Sequence, residues 1–179
     1  MWRPTEISTP VVSEPVSLDE VKARGRIDHD DDDGTLKDAI TQARSYAEHY
    51  SSSRIATVGL TLRCSSFDDF ACLPEAPLQS IASIQYVDAD GDEQTLPEAV
   101  CESWGDGLDA RIVLQAGQSW PAIASGSWIT LTGLFGYAAV PPAVQQAIIR
   151  HALDADASRE NPSAHGHTVF DFLMSNHRR

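Results

Sequence analysis

The sequence predicts an α+β protein, and three observations predict it. Helical periodicity occupies both ends of the chain, a long middle stretch reads as short strands and turns, and the composition is that of a folded domain. Of 179 residues, 42% are apolar and 22% charged. That is enough for one domain with its own core and too apolar for wholesale disorder. No apolar run is long enough to span a bilayer, so no membrane association is expected.

Each element follows from local chemistry. Residues 1–14 carry two prolines and no periodicity, and read as a flexible arm. In "PVSLDEVKARGRI", Ser17 and Glu20 have the spacing of a capping box, with Val16 and Val21 placed as a hydrophobic staple. This predicts a helix over about 17–25, ended by Gly25. Leu36, Ala39, Ile40, Ala43, Tyr46, Ala47 and Tyr50 recur three and four apart, the apolar face of a second helix over about 34–50. Residues 55–137 change character. Runs such as "ATVGLTLRCSSF", "SIQYVDADGDEQTL", "ARIVLQAG" and "GSWITLTGLFGY" are rich in β-branched and aromatic residues, and Asp90-Gly91 is a hairpin turn signal. This is a mostly antiparallel β insertion. "VPPAVQQAIIRHALDADA" then restarts a helix over about 141–157, with Pro142 at its first position. Its apolar residues cover more than half the circumference, which implies contacts on two sides, within the domain or with a neighbouring subunit. A polar linker leads to "VFDFLMSNHRR", a short amphipathic tail.

Charge and cysteine usage narrow the function. The balance is 13 basic against 26 acidic residues, a formal net charge of −13. Such a surface repels a DNA backbone, and only Lys22, Arg24 and Arg26 form a small basic cluster, so tight duplex binding is not expected. Cys64, Cys72 and Cys101 form no CxxC pair. The N-terminus lacks a basic start followed by an apolar core, so no secretory signal is expected, and the thiols read as reduced in a cytosolic setting.

Several constellations bear on chemistry. "RIDHDDDDGTL" holds five aspartates and a histidine between Asp28 and Asp33. A hard cation binds carboxylates, but consecutive loop positions converge poorly on one point. Asp31, Asp32 or Asp33 serves better as the cap of the following helix, with acidic neighbours at its positive end. "DADGDE", Asp88 to Glu93, starts like an EF-hand loop, but Glu93 stands at the sixth position and Ala99 at the twelfth, so a hairpin turn is the better reading. His165 and His167 lack a ligand partner at zinc spacing. Ser125 lacks the glycine of a nucleophile elbow. Cys64 and Cys72 are able to face each other across a hairpin, or to be ordinary core thiols. No nucleophile, base and oxyanion site assemble. The expectation is a non-enzyme with no cofactor and no metal.

The order of elements resembles a known family. A short capped helix, "RIDHDDDD", a second helix ending "AEHY", then "PEAPLQSIASIQYVDADGDEQTL", "GQSWP", "GLFGYAAVPPAVQQAII" and "SREN" together resemble the head-tail connector (adaptor) proteins of long-tailed bacteriophages, prophages and gene-transfer agents. The resemblance covers roughly residues 15–160. Three positions depart from it: Gly25 in place of a leucine, Cys101 in place of an aromatic, and "HALDADASREN" without the expected tyrosine.

The resemblance implies a small connector-type helical bundle over 15–160, with the β insertion between its second and third helices, and a linker and docking tail over 161–179. It implies structural work. The chain would form a ring, dodecameric in the particle and able to be monomeric in solution, beneath the portal protein at the virion neck. It would join the DNA-filled capsid to a tail or stopper protein, with double-stranded DNA passing through without sequence-specific binding. At about 0.15 M salt the Debye length is about 8 Å, so acidic walls close to the duplex would discourage gripping. Assembly would take place in the bacterial cytoplasm. Within this frame Val144, Ile148, Ile149 and Leu153 are the expected subunit or portal contacts. Phe170, Phe172, Leu173, Met174, Arg178 and Arg179 are the expected portal-docking residues, on a tail mobile until assembly or, alternatively, folded back on its own domain. Two other readings stay open: another neck, tail-completion or stopper protein, and a small metal-dependent hydrolase using Asp28–Asp33.

Overall fold

A computed structural model describes residues 1–105, 108–157 and 169–178. The chain is α+β and divides into two compact units, each assembled from two stretches of sequence. Ser13–Ala56 and Ala139–Arg179 form a helical unit, and Met1–Val12 and Thr57–Ala138 form a β unit.

The helical unit contains α1 (Leu18–Gly25), α2 (Asp33–Ser51), α3 (Pro142–Ala157) and the short α4 (Val169–Met174). At the start of α1, the Glu20 N–H donates to Ser17 Oγ at 3.2 Å and the Ser17 N–H donates to Glu20 Oε2 at 2.8 Å. Two amides that the first turn leaves orphaned are thereby satisfied. Val16 and Val21 are buried beside them. The end of α1 differs from expectation. Arg26, not Gly25, takes the left-handed conformation, with φ 56°, and the Ile27 N–H closes on the Lys22 carbonyl at 3.0 Å. Gly25 stays helical and serves close approach instead: a Cβ there would lie 2.7 Å from Leu153 Cδ2 on α3.

Helix α2 buries Leu36, Ala39, Ile40, Ala43 and Ala47 along one face. Its C-terminal end is tied down by Glu48, whose Oε1 accepts from the Ile55 and Ala56 amides at 2.9 and 3.2 Å. Arg44 bridges Glu48 and Glu14 at 3.1 and 2.7 Å. Helix α3 packs against α1, α2 and α4. Its wide apolar surface is therefore largely consumed by three helices of its own unit.

The β unit contains β1 (Glu6–Thr9), β2 (Val58–Cys64), β3 (Leu78–Val87), β4 (Glu93–Thr95), β5 (Cys101–Trp104), β6 (Arg111–Leu114) and β7 (Ile129–Phe135). One sheet has the order β1-β2-β7-β3-β4, and β5-β6 form a separate two-stranded ribbon. Every pairing of these strands is antiparallel. Val58, Leu60, Leu62 and Cys64 of β2 and Ile129, Leu131 and Phe135 of β7 alternate onto one face of the sheet, as the period of two requires. Phe67 and Phe70, on a short 3-10 turn, extend that core, and the Phe67 ring stacks on Trp120 with centroids 4.7 Å apart.

The N-terminal arm is ordered, contrary to the expectation of a flexible segment. Glu6, Ile7 and Thr9 pair with Thr61, Leu60 and Gly59. The Trp2 ring stacks on Phe70 at 6.1 Å, and its Nε1–H donates to the Cys72 carbonyl at 3.1 Å. Pairing and aromatic burial order a segment whose local sequence carries no strand alternation.

Candidate functional site

The aspartate run is an electrostatic joint between α1 and α2. Lys22 Nζ donates to Asp30 Oδ1 at 2.5 Å and to Asp33 Oδ1 at 2.7 Å. Asp32 occupies the cap position of α2 but makes no side-chain capping hydrogen bond, so the expected capping role is not the one observed. The hydrogen bond donated by Lys22 holds the Asp30 carboxyl below its ordinary value of 3.8, and those it donates to Asp30 and Asp33 raise the Lys22 amine above 10.5. The linkage signs follow. The Asp30 contribution is present above the ordinary carboxyl value and is lost as pH falls through its lowered one. The Lys22 contribution is present below 10.5 and is lost as pH rises through its raised value. Replacing both Asp30 and Asp33 by Asn should leave the helices formed but lower the thermal midpoint slightly, because exposed ion pairs contribute little. The deficit should shrink as pH falls below the ordinary carboxyl value of 3.8 and through the lowered value of Asp30.

Asp88 is likewise occupied inside its turn. Its carboxylate accepts from the Asp90 and Asp92 amides at 3.0 and 3.0 Å and from Gln94 Nε2 at 2.9 Å. The Gln94 contact, then that of Asp92, holds its pKa low. Gly91, with φ 96°, closes the turn between β3 and β4. Among the described residues, no group of three or more His, Cys, Asp or Glu side chains is placed to hold a metal ion. The His165–His167 pair, the linker at 158–168 and Arg179 lie outside the described residues. Burial pushes the Cys64 thiol up to about 11, which keeps it protonated and poorly nucleophilic. No disulfide joins Cys64, Cys72 and Cys101 to one another.

The residues expected at contacts separate into two sets. On α3, Val144 and Ile148 are fully buried and belong to the core. Ile149, also buried, and Leu153 line a cleft with Arg24, Gln146 and Arg150. In the tail, Phe170 and Met174 are buried. The Phe170 ring lies 5.0 Å from Tyr46, 5.5 Å from Tyr50 and 5.3 Å from His151. The Arg178 guanidinium sits 5.4 Å from the Tyr50 ring. The tail thus folds back on its own unit, and Phe170, Met174 and Arg178 are engaged there. Leu173 is half-buried, and Phe172 points outward with 80% of its surface exposed.

His151 stacks on Tyr46 with centroids 4.5 Å apart. Burial depresses its pKa below 6.5, and Asp154 opposes the shift only partly. Its neutral form therefore supports the fold. That stability is complete above pH 6.5 and is lost as pH falls through the depressed value. The thermal midpoint should drop between pH 7.5 and 5.5, and His151→Gln should drop less over the same interval. Equal losses would show that another group carries the effect.

One exposed feature escaped the sequence reading. Trp104, at the end of β5, is 59% exposed beside Arg111, whose guanidinium lies 5.5 Å from its ring. A tryptophan facing outward in a strand of two exposed faces gives no alternation signal, so nothing marked it.

Comparison with known proteins places these surfaces in context. Residues 15–99 match the phage gp6-like head-tail connector protein family. The resemblance read from the residues is therefore borne out over the first two helices and the start of the β insertion. Solved structures extend the likeness in fold to nearly the whole chain. A chain of the "Neck of empty GTA particle computed with C6 symmetry" matches with TM-score 0.78 at 19% identity, over 98% of this chain and 95% of that one. A chain of the "Virion of native gene transfer agent (GTA) particle" gives 0.79 at 19% identity, over 97% and 94%. A chain of the "Neck of native GTA particle computed with C12 symmetry" gives 0.73 at 20% identity, over 98% and 95%. The comparison with curated proteins returned no match.

Proposed function

We propose that this chain is a structural neck protein of a tailed phage or gene-transfer-agent particle, an adaptor rather than an enzyme. Copies assemble as a ring below the portal, join the filled capsid to the next tail or stopper component, and leave a lumen for double-stranded DNA. The connector-type reading is of a helical bundle interrupted by a β insertion, with helices about 17–25, 34–50 and 141–157. The family match over residues 15–99, continued as a shared fold across the chain, carries this proposal. Two further observations support it. Asp30 and Asp33 are taken up by Lys22, which suits a joint better than a hydrolytic centre. The net charge of −13 suits a wall that lets a polyanion slide past.

Deleting the gene tests the proposal. Filled heads without tails should accumulate, free tails should accumulate beside them, and the wild-type gene supplied in trans should restore whole particles. Tailed, infectious particles from the deletion strain would overturn it.

A further inference from the structure

The two units differ in charge in a way that points to how copies meet. The β unit contains 12 of the 26 acidic residues but only 3 of the 13 lysines and arginines. All three are engaged locally: Arg3 lies over the Trp128 ring, Arg63 pairs with Glu6, and Arg111 pairs with Asp109 beside Trp104. The other ten cations fall in the helical unit. The helical unit is itself net acidic, with 14 acidic against 10 basic residues, so any complementarity between copies is between local patches rather than whole units. Such head-to-tail contacts close into rings.

A specific feature stands on each surface. On the ribbon of β5 and β6, Glu102 and Trp104 are two residues apart on one strand and share a face. Trp104 is a large apolar side chain left mostly in water, the kind of group that anchors interfaces. On the helical unit, Gln146, Ile149, Arg150 and Leu153 follow one another at helical spacing along α3. With Arg24 of α1 they line a cleft of about 260 Å³. Its apolar residues are Ile149 and Leu153, and the exposed Arg24 and Arg150 supply cations at its margin. An aromatic knob beside a carboxylate meets the chemistry of a mostly polar cleft in which two guanidiniums and Gln146 flank Leu153.

We propose that Trp104 of one copy inserts into the α1–α3 cleft of a second copy, with Glu102 facing Arg150 or Arg24. This rests on the ring reading above and specifies its subunit contact. Glu102, Trp104, Arg24 and Arg150 are exposed, so altering them does not disturb a core. Each single contact is weak, and closure of the ring multiplies it.

The test places benzoyl-phenylalanine at Trp104 in assembled particles and irradiates them. The adduct should run as a covalent dimer of this chain, and peptide mapping should put the link within residues 146–153. In parallel, Glu102→Arg and Arg150→Glu should each lower particle yield by about tenfold or more. The two together should recover most of the loss, as a directly coupled pair does. Circular dichroism of the purified variants should match the wild type. Adducts to another neck protein, or a double variant no better than its singles, would overturn this contact while leaving the ring reading standing. Absence of the chain from particles would instead overturn the ring reading itself.

Discussion

Gly133→Val should unfold the β unit, at a cost of about 3 kcal/mol or more. Gly133 sits in β7, the strand between β2 and β3 in the sheet. A Cβ there would lie 2.6 Å from the carbonyl oxygen of Ser80. That atom belongs to the β3 backbone, so it cannot swing aside as a side-chain tip does. Relief would require β3 and β7 to separate, and the pairing there is already irregular, with register shifts on both sides of Ser80–Ile81. Gly133 is demanded by space rather than by an unusual dihedral. All four tryptophans lie in the β unit, so their fluorescence reports this unit while far-ultraviolet circular dichroism follows the helices. The variant should lose the fluorescence transition at a much lower urea concentration. Gly34→Ala is the control, because a Cβ at Gly34 meets nothing within 4 Å. It should be neutral or slightly stabilising in the first turn of α2. An unchanged midpoint for Gly133→Val would mean that the two strands are not held as close as described.

Phe170→Asp should release α4 at a cost of about 3 kcal/mol, combining a lost buried ring with lost aromatic contacts to Tyr46, Tyr50 and His151. Helix α4 spans only Val169–Met174, too short to persist alone in water. Hydrogen exchange should therefore show slow amides across 170–174 in the wild type and fast ones in the variant, with α1 to α3 unchanged. Fast exchange in the wild type would instead favour a tail free to dock elsewhere. The structure also alters the choice of surface probes. Phe170 and Met174 are core residues, so changes there confound folding with docking. Phe172→Asp alters an outward residue and separates the two.

Sequence chemistry made the local devices legible. The capping box at Ser17, the staple of Val16 and Val21, the α2 stripe from Leu36 to Ala47 and the turn at Gly91 each depend on residues within a few positions. What escaped depends on contacts far apart in the chain. Strand β1 is exposed along its length and is held by β2, some fifty residues away. Phe170 is buried by Tyr46 and His151, which no local pattern foretells. Gly25 looked like a helix terminator, but its lack of a side chain is used to admit Leu153. The acidic run looked like a cap. Lys22, which precedes Asp30 and Asp33 by 8 and 11 residues, turned it into a joint. The apolar breadth of α3 implies contact on two sides, within the domain or with a neighbouring subunit. Which sides these are emerges only from the packing of α1, α2 and α4 around it. The family-bearing segments were legible because they combine turn, strand and helix signals in a fixed order.

The most direct test of the central claim is a cryo-electron microscopy map of the particle neck with this chain fitted into it. A closed ring of copies between portal and tail, surrounding a lumen wide enough for the duplex, is the expected result. A neck ring into which the two units cannot be fitted, or particles whose neck lacks this chain, would contradict it.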